Sequence, residues 1–104
     1  MAKYLFVFHG GRPPEGKAEK ARVMDAWGKW MSAMGSAIVD GGSPVGKSST
    51  VNSDGSVSDH GGANPVSGYT LIEAATLQDA HAHAKRCPIL AGGGSVEVAE
   101  SIDM

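Results

Sequence analysis

Cysteine is almost missing from these 104 residues: Cys87 is the only one. No internal disulfide can form, which fits a reducing compartment. Long hydrophobic runs are missing too. The apolar stretch after Met1 (Leu5-Phe6-Val7-Phe8) is too short for a secretory leader and far too short to span a bilayer. The expectations are therefore a cytoplasmic location and no membrane partner. Nor does charge of one sign accumulate. Nine basic residues oppose 11 acidic ones, for a net charge of −2, without a long run of either. A nucleic-acid protein needs a basic stripe to neutralise phosphates, so no nucleic-acid partner is expected.

What remains has the size of one domain, residues 1–104, long enough to bury a core without disulfides or a structural metal. Fifteen glycines are about twice the usual share, and many of them sit in two loops. Lys3 to His9 reads as a strand with apolar residues on both faces: Tyr4, Phe6 and Phe8 on one, Leu5 and Val7 on the other. A strand apolar on both sides is covered on both sides. From about Lys17 to Met34, Val23, Trp27, Trp30, Met31 and Met34 recur at helical spacing. Gly28 breaks that pattern, and close packing is its expected compensation. Gly35 suits the helix end.

Ala37 to Asp40 reads as a second strand. Within the polar stretch from Gly41 to Gly68, Asp54-Gly55 marks the turn of a protruding hairpin. Tyr69 to Ala74 reads as a strand. Thr76-Leu77-Gln78-Asp79 opens a second helix with Leu77, Ala80, Ala84 and Cys87 on one face, ended by Pro88. Ser95 to Ile102 is the last strand. The order β-α-β-(hairpin)-β-α-β is the split βαβ pattern, an α+β ferredoxin-like fold with a four-stranded antiparallel sheet and both helices on one face. The open face needs a cover, and a second copy of the chain is the simplest one, so a homodimer is expected.

The topology gathers the ends of the first two strands with the starts of the other two. His9, Asp40, Tyr69 and the Gly92–Gly94 loop are thereby expected at one mouth. His9 as general acid/base with Asp40 as its partner is the catalytic candidate there. The alternative is that His9 merely ends a strand and Asp40 merely starts a turn. Tyr69, Ser43, Asp59, His60 and Gly93 are the candidate ligand contacts, with glycine-loop amides able to hold an anion.

Gly41-Gly42-Ser43-Pro44-Val45-Gly46-Lys47-Ser48 matches the phosphate-loop pattern formally. That pattern works only if a helix starts at the lysine, and the residues after Lys47 read as extended. His81 and His83, two apart on a helix, point to nearly opposite sides and cannot share one ion. No metal and no cofactor are expected. Cys87 falls on the apolar stripe of its helix and reads as a buried structural residue.

Ala2-Lys3-Tyr4-Leu5-Phe6-Val7, Trp27-Gly28-Lys29-Trp30-Met31, Val39-Asp40-Gly41-Gly42-Ser43-Pro44, Gly68-Tyr69-Thr70-Leu71-Ile72-Glu73-Ala74 and Cys87-Pro88-Ile89-Leu90 together resemble the YCII-related family. The nearest branch is the one named for an Asp-Gly-Pro-Phe motif, which here reads Asp59-His60-Gly61-Gly62-Ala63-Asn64-Pro65. The resemblance implies a dimeric α/β-barrel-type assembly, a His–Asp pair without a cofactor in some members, and genes near alternative sigma factors in others. The histidine of the first helix would align near Met24, and no histidine lies between His9 and His60. Three functions follow as expectations. The first is a homodimeric domain binding an unidentified small molecule at the His9/Asp40/Tyr69 end. The second is a cofactor-free lyase or isomerase using His9. The third is a protein-interaction module using the 41–68 hairpin.

Overall fold

A computed structural model describes residues 1–104. β1 (Ala2–His9) is followed by α1 (Gly16–Met34), a 3-10 turn (Gly35–Ala37) and β2 (Ile38–Pro44). A hairpin of β3 (Thr50–Val51) and β4 (Val57–Ser58) leads to β5 (Val66–Ala74). Then come α2 (Leu77–Ala84), a 3-10 segment (Pro88–Gly92) and β6 (Ser95–Ser101). The main sheet has the order β2-β5-β1-β6 with every neighbouring pair antiparallel. This is the expected split βαβ fold, with the hairpin as a separate two-stranded ribbon.

Alternation along β1 decides the layering. Tyr4, Phe6 and Phe8 are buried with Trp30, Met34, Ile72, Ala80, Ala84 and Cys87, so the even-numbered residues of β1 lie under the helices. Phe8 meets Trp27 and Trp30 edge to face, with ring centroids 5.2 and 6.0 Å away, and Phe6 stacks on Trp30. Each fully buried large side chain contributes about 1.5–3 kcal/mol, so this aromatic cluster fixes α1 on the sheet. The Trp30 indole also donates to the His83 carbonyl at 2.9 Å, which ties α1 to α2.

The helix ends follow the local chemistry. Gly35, at φ 53°, closes α1 with its N–H on the Met31 carbonyl. The Thr76 hydroxyl accepts from the Asp79 N–H at 3.1 Å and opens α2. Two expectations fail. A Cβ built on Gly28 meets nothing within 4 Å, so no close packing compensates for that glycine. Leu77 is 42% exposed, because it stands at the first position of α2, outside the stripe that Ala80 and Ala84 bury. β2 also runs four residues past Asp40, to Pro44.

The other sheet face has no helix. Leu5, Val7 and Leu71 are half-buried there, Tyr69 is 37% exposed, and His9 shares the parity of Leu5 and Val7. The hairpin turns at Asp54-Gly55 as expected: the Asp54 carboxylate accepts from the Ser56 N–H and hydroxyl at 2.9 and 2.6 Å. These bonds hold the Asp54 carboxyl below its ordinary value.

Candidate functional site

Irregular pairing at the β2 edge opens a cavity beside the core. The pairing of β2 with β5 shifts register between Ile38 and Asp40 and again between Asp40 and Ser43. Gly42, at φ 70°, lies so close to β5 that an added Cβ would sit 1.8 Å from the Tyr69 carbonyl oxygen. Bulges bend the strand that carries them. Between the bent edge and α1 lies a cavity of about 440 Å³, within the usual range for small-molecule sites. Phe8, Trp27, Met24, Met31 and Ile89 supply its apolar wall. Lys20 and Tyr69 are the titratable residues of that wall.

A second irregularity, between Phe8 and His9, puts an extra residue on β5: Phe8 pairs with Gly68 and His9 with Val66, leaving Ser67 unmatched. Ser67 joins the cavity wall. Its hydroxyl is buried without a hydrogen-bond partner. Such a group costs about 1–3 kcal/mol if nothing satisfies it. The Thr70 hydroxyl, also in the wall, is already engaged with the Gly41 carbonyl at 3.0 Å.

His9 belongs to the other face. Nε2 donates to Glu97 Oε1 at 2.8 Å and Nδ1 donates to the Pro65 carbonyl at 3.2 Å. Both partners only accept, so the geometry favours the doubly protonated ring. The Glu97 hydrogen bond is the largest cause of a His9 pKa above its ordinary 6.5, with burial working against it. The His9 side chain is 11% exposed and that of Glu97 64%.

The expected cluster therefore divides. Tyr69 and Ser43 contribute to the cavity wall, although parity puts Tyr69 opposite Val7 on the open face. Asp40 is not beside His9. It pairs with Leu71, which pairs with Leu5, four residues from His9 along β1. That separation is roughly 14 Å along the strand alone. Asp40 instead accepts from the Gly42 N–H at 2.8 Å and shapes the bulged edge. The amides of Gly93 and Gly94 are spent on Leu90 and Ile89 at 3.1 and 3.0 Å, which removes them as an anion cradle. Asp59 pairs with Lys47 at 3.1 Å, and His60 Nδ1 accepts from the Gly62 N–H at 3.0 Å. Neither belongs to the cavity wall. No helix starts at Lys47, so the phosphate-loop pattern has no phosphate-loop structure. Cys87 is buried, with its thiol pushed up to about 11 by desolvation.

Sequence reasoning missed Ser67, Lys20 and Glu97, and it named Met24 only as the position where the resemblance expects a histidine. Glu97 left a signal, a carboxylate between the inward-facing Val96 and Val98. Ser67 left none, because a bulge exists only once two strands are paired.

Fold and site together define a one-sided split βαβ domain with a cavity under its first helix. No protein-family model matches the chain, and no curated protein does. Among solved structures it is similar to the 5-chloro-2-hydroxyhydroquinone dehydrochlorinase of Burkholderia phenoliruptrix AC1100 in complex with 2,5-dihydroxybenzoquinone. The TM-score is 0.53 at 14% identity, over 96% of this chain and 93% of that one. At that identity the likeness is one of fold.

Proposed function

We propose that the chain binds a small, largely apolar organic molecule in the cavity between α1 and the β2–β5 edge. The observation that carries this is the cavity itself, with its aromatic and methionine wall. Membership of the YCII-related family is part of the proposal, supported by the ordered motifs from Ala2 to Leu90. The position where that resemblance expects a histidine is Met24, which stands in the cavity wall. A thioether cannot move a proton, so binding without turnover is the favoured reading. The likeness to a dehydrochlorinase solved with a quinone fits a ligand of that general size.

A second reading has its own observation. The His9–Glu97 contact holds an imidazolium placed to act as a general acid on the open face, for a cofactor-free lyase or isomerase. Homodimerisation through that face belongs to both readings, since Leu5, Val7 and Leu71 lack a helix to cover them.

A thermal-shift screen of small aromatic and alicyclic molecules decides between the readings. Ligand at about a hundred times its Kd stabilises by about 2.7 kcal/mol. Under the cavity reading, Met24→Trp abolishes the shift by filling the space, and His9→Ala leaves it intact. Shifts lost in His9→Ala but kept in Met24→Trp move the site to the open face. No shift with any compound removes the small-molecule reading.

A further inference from the structure

We propose that His9 gates the cavity from the opposite side of the sheet: its protonated ring holds the segment that leads into one cavity wall, and losing the proton loosens that wall. This assigns a regulation to the site above and rests on the binding reading. Three observations lead to it.

The first is the arrangement of donors. His9 Nε2 donates to Glu97 Oε1 at 2.8 Å, and Nδ1 donates to the Pro65 carbonyl at 3.2 Å. A neutral imidazole carries one N–H, so it serves only one of two acceptors. The carboxylate is the closer and the stronger acceptor, so the remaining proton stays on Nε2. Nδ1 then turns a lone pair toward the Pro65 oxygen, and the two repel.

The second is the place of Pro65. It immediately precedes β5, at the foot of the hairpin, where the pairing of β5 with β1 slips by one residue. A bulge disrupts the ladder locally, so the His9 side chain is the tie that holds this step. The third is contact between this step and the cavity. Gly68 stands in the wall, packed so closely that an added Cβ would lie 3.2 Å from the Phe8 ring and from the Ser43 carbonyl oxygen. Phe8 and Ser43 line the cavity too. The Ser67 carbonyl accepts from the Val45 N–H at 3.1 Å, which ties the start of β5 to the chain leaving β2. Close-packed atoms pass a shift on, so movement at Pro65 reaches both strands of the cavity edge.

Glu97, from β6, is the charged group facing His9. Ser95 on β6 and Val66 on β5 are its uncharged partners across the sheet, and residues 64–65 offer it carbonyls. The cavity wall has titratable residues of its own, Lys20 and Tyr69, and His9→Ala separates their effect from that of His9.

The test is calorimetric titration with 2-naphthamide, a neutral aromatic without a group that titrates near neutrality. It is run below pH 6.5 and again on the alkaline side of the His9 midpoint. The expected result is an affinity that falls about fivefold as pH rises, at the low end of coupling between sites. Coupling is reciprocal, so saturating 2-naphthamide raises the His9 midpoint although the ring does not touch it. In the free protein the Gly68 amide resonance follows the His9 titration. Glu97→Gln moves these transitions to lower pH. His9→Ala binds at every pH with the alkaline affinity of wild type, still enough for a thermal shift. A wild-type affinity indifferent to pH, or a Gly68 amide that does not follow His9, overturns the gate while the cavity reading stands. A pH dependence that persists in His9→Ala belongs to Lys20 or Tyr69 and overturns it as well. If 2-naphthamide binds at no pH, and the broader screen is also blank, the cavity reading and the gate fall together.

Discussion

His9 shows how a single residue's role depends on its acceptors. With a carboxylate on one ring nitrogen and a carbonyl on the other, its pKa is raised. A raised folded-state pKa stabilises fully below the ordinary value of 6.5, and that stabilisation is lost as pH rises through the folded value. The proton resonances of His9 should therefore titrate above 6.5 in the native protein and move back down in Glu97→Gln. The same variant should flatten the loss of stability on the alkaline side. Unchanged titration in Glu97→Gln would mean that the 2.8 Å contact does not hold the proton. Gly28 makes a second case at this scale. It lies in the middle of α1, exposed, with nothing near its missing side chain. Gly28→Ala should raise stability by about 0.5–1 kcal/mol, read as a higher urea midpoint at constant m-value.

Among the elements, β2 departs furthest from regularity, and the cavity depends on that. Asp40 holds the Gly42 N–H, Gly42 takes a positive φ, and the Gly41 carbonyl anchors Thr70. An edge strand tolerates such bulges because one side of it has no pairing partner to disrupt. Gly42→Ala is expected to cost more than about 2 kcal/mol, since the new Cβ meets a backbone oxygen that cannot rotate away. Chemical denaturation measures it. A cost within about 0.5 kcal/mol would show that the edge relaxes, as an exposed surface site does. The candidate site was legible here only in part. Tyr69, expected beside His9, and Ser43, expected as a ligand contact, both line the cavity instead. Asp40 was misplaced because a strand that continues through Gly41-Gly42 looks in sequence like one that stops.

For the whole molecule, the governing feature is a sheet with helices on one side only. The radius of gyration is 15.0 Å and the shape 43 × 43 × 19 Å, whereas a compact chain of this length has a radius near 13 Å. The excess comes from the two-layer slab and its hairpin. A second copy on the open face would cover Leu5, Val7 and Leu71. Val7→Asp would then place an unpaired charge inside the contact and weaken association by about a hundredfold or more. Sedimentation velocity should show wild-type dimers and Val7→Asp monomers. Wild-type monomers at micromolar concentration would remove the dimer from the proposal. No helix is long and apolar enough to cross a membrane.

The sequence by itself determined the elements, their order and the sheet they build. Period-2 and period-3.6 apolar patterns are local, and Pro88, Gly35, Thr76 and Asp54-Gly55 punctuate them with conformational preferences that need no distant partner. It also determined that β1 has two apolar faces. Only the tertiary structure decided which face the helices cover, and with it that His9 and the cavity lie on opposite sides of the sheet. It alone chose Glu97 over Asp40 as the partner of His9 and created the bulge that leaves Ser67 unpaired. These outcomes depend on strand register, which the combined packing of whole faces sets and no short stretch of sequence encodes.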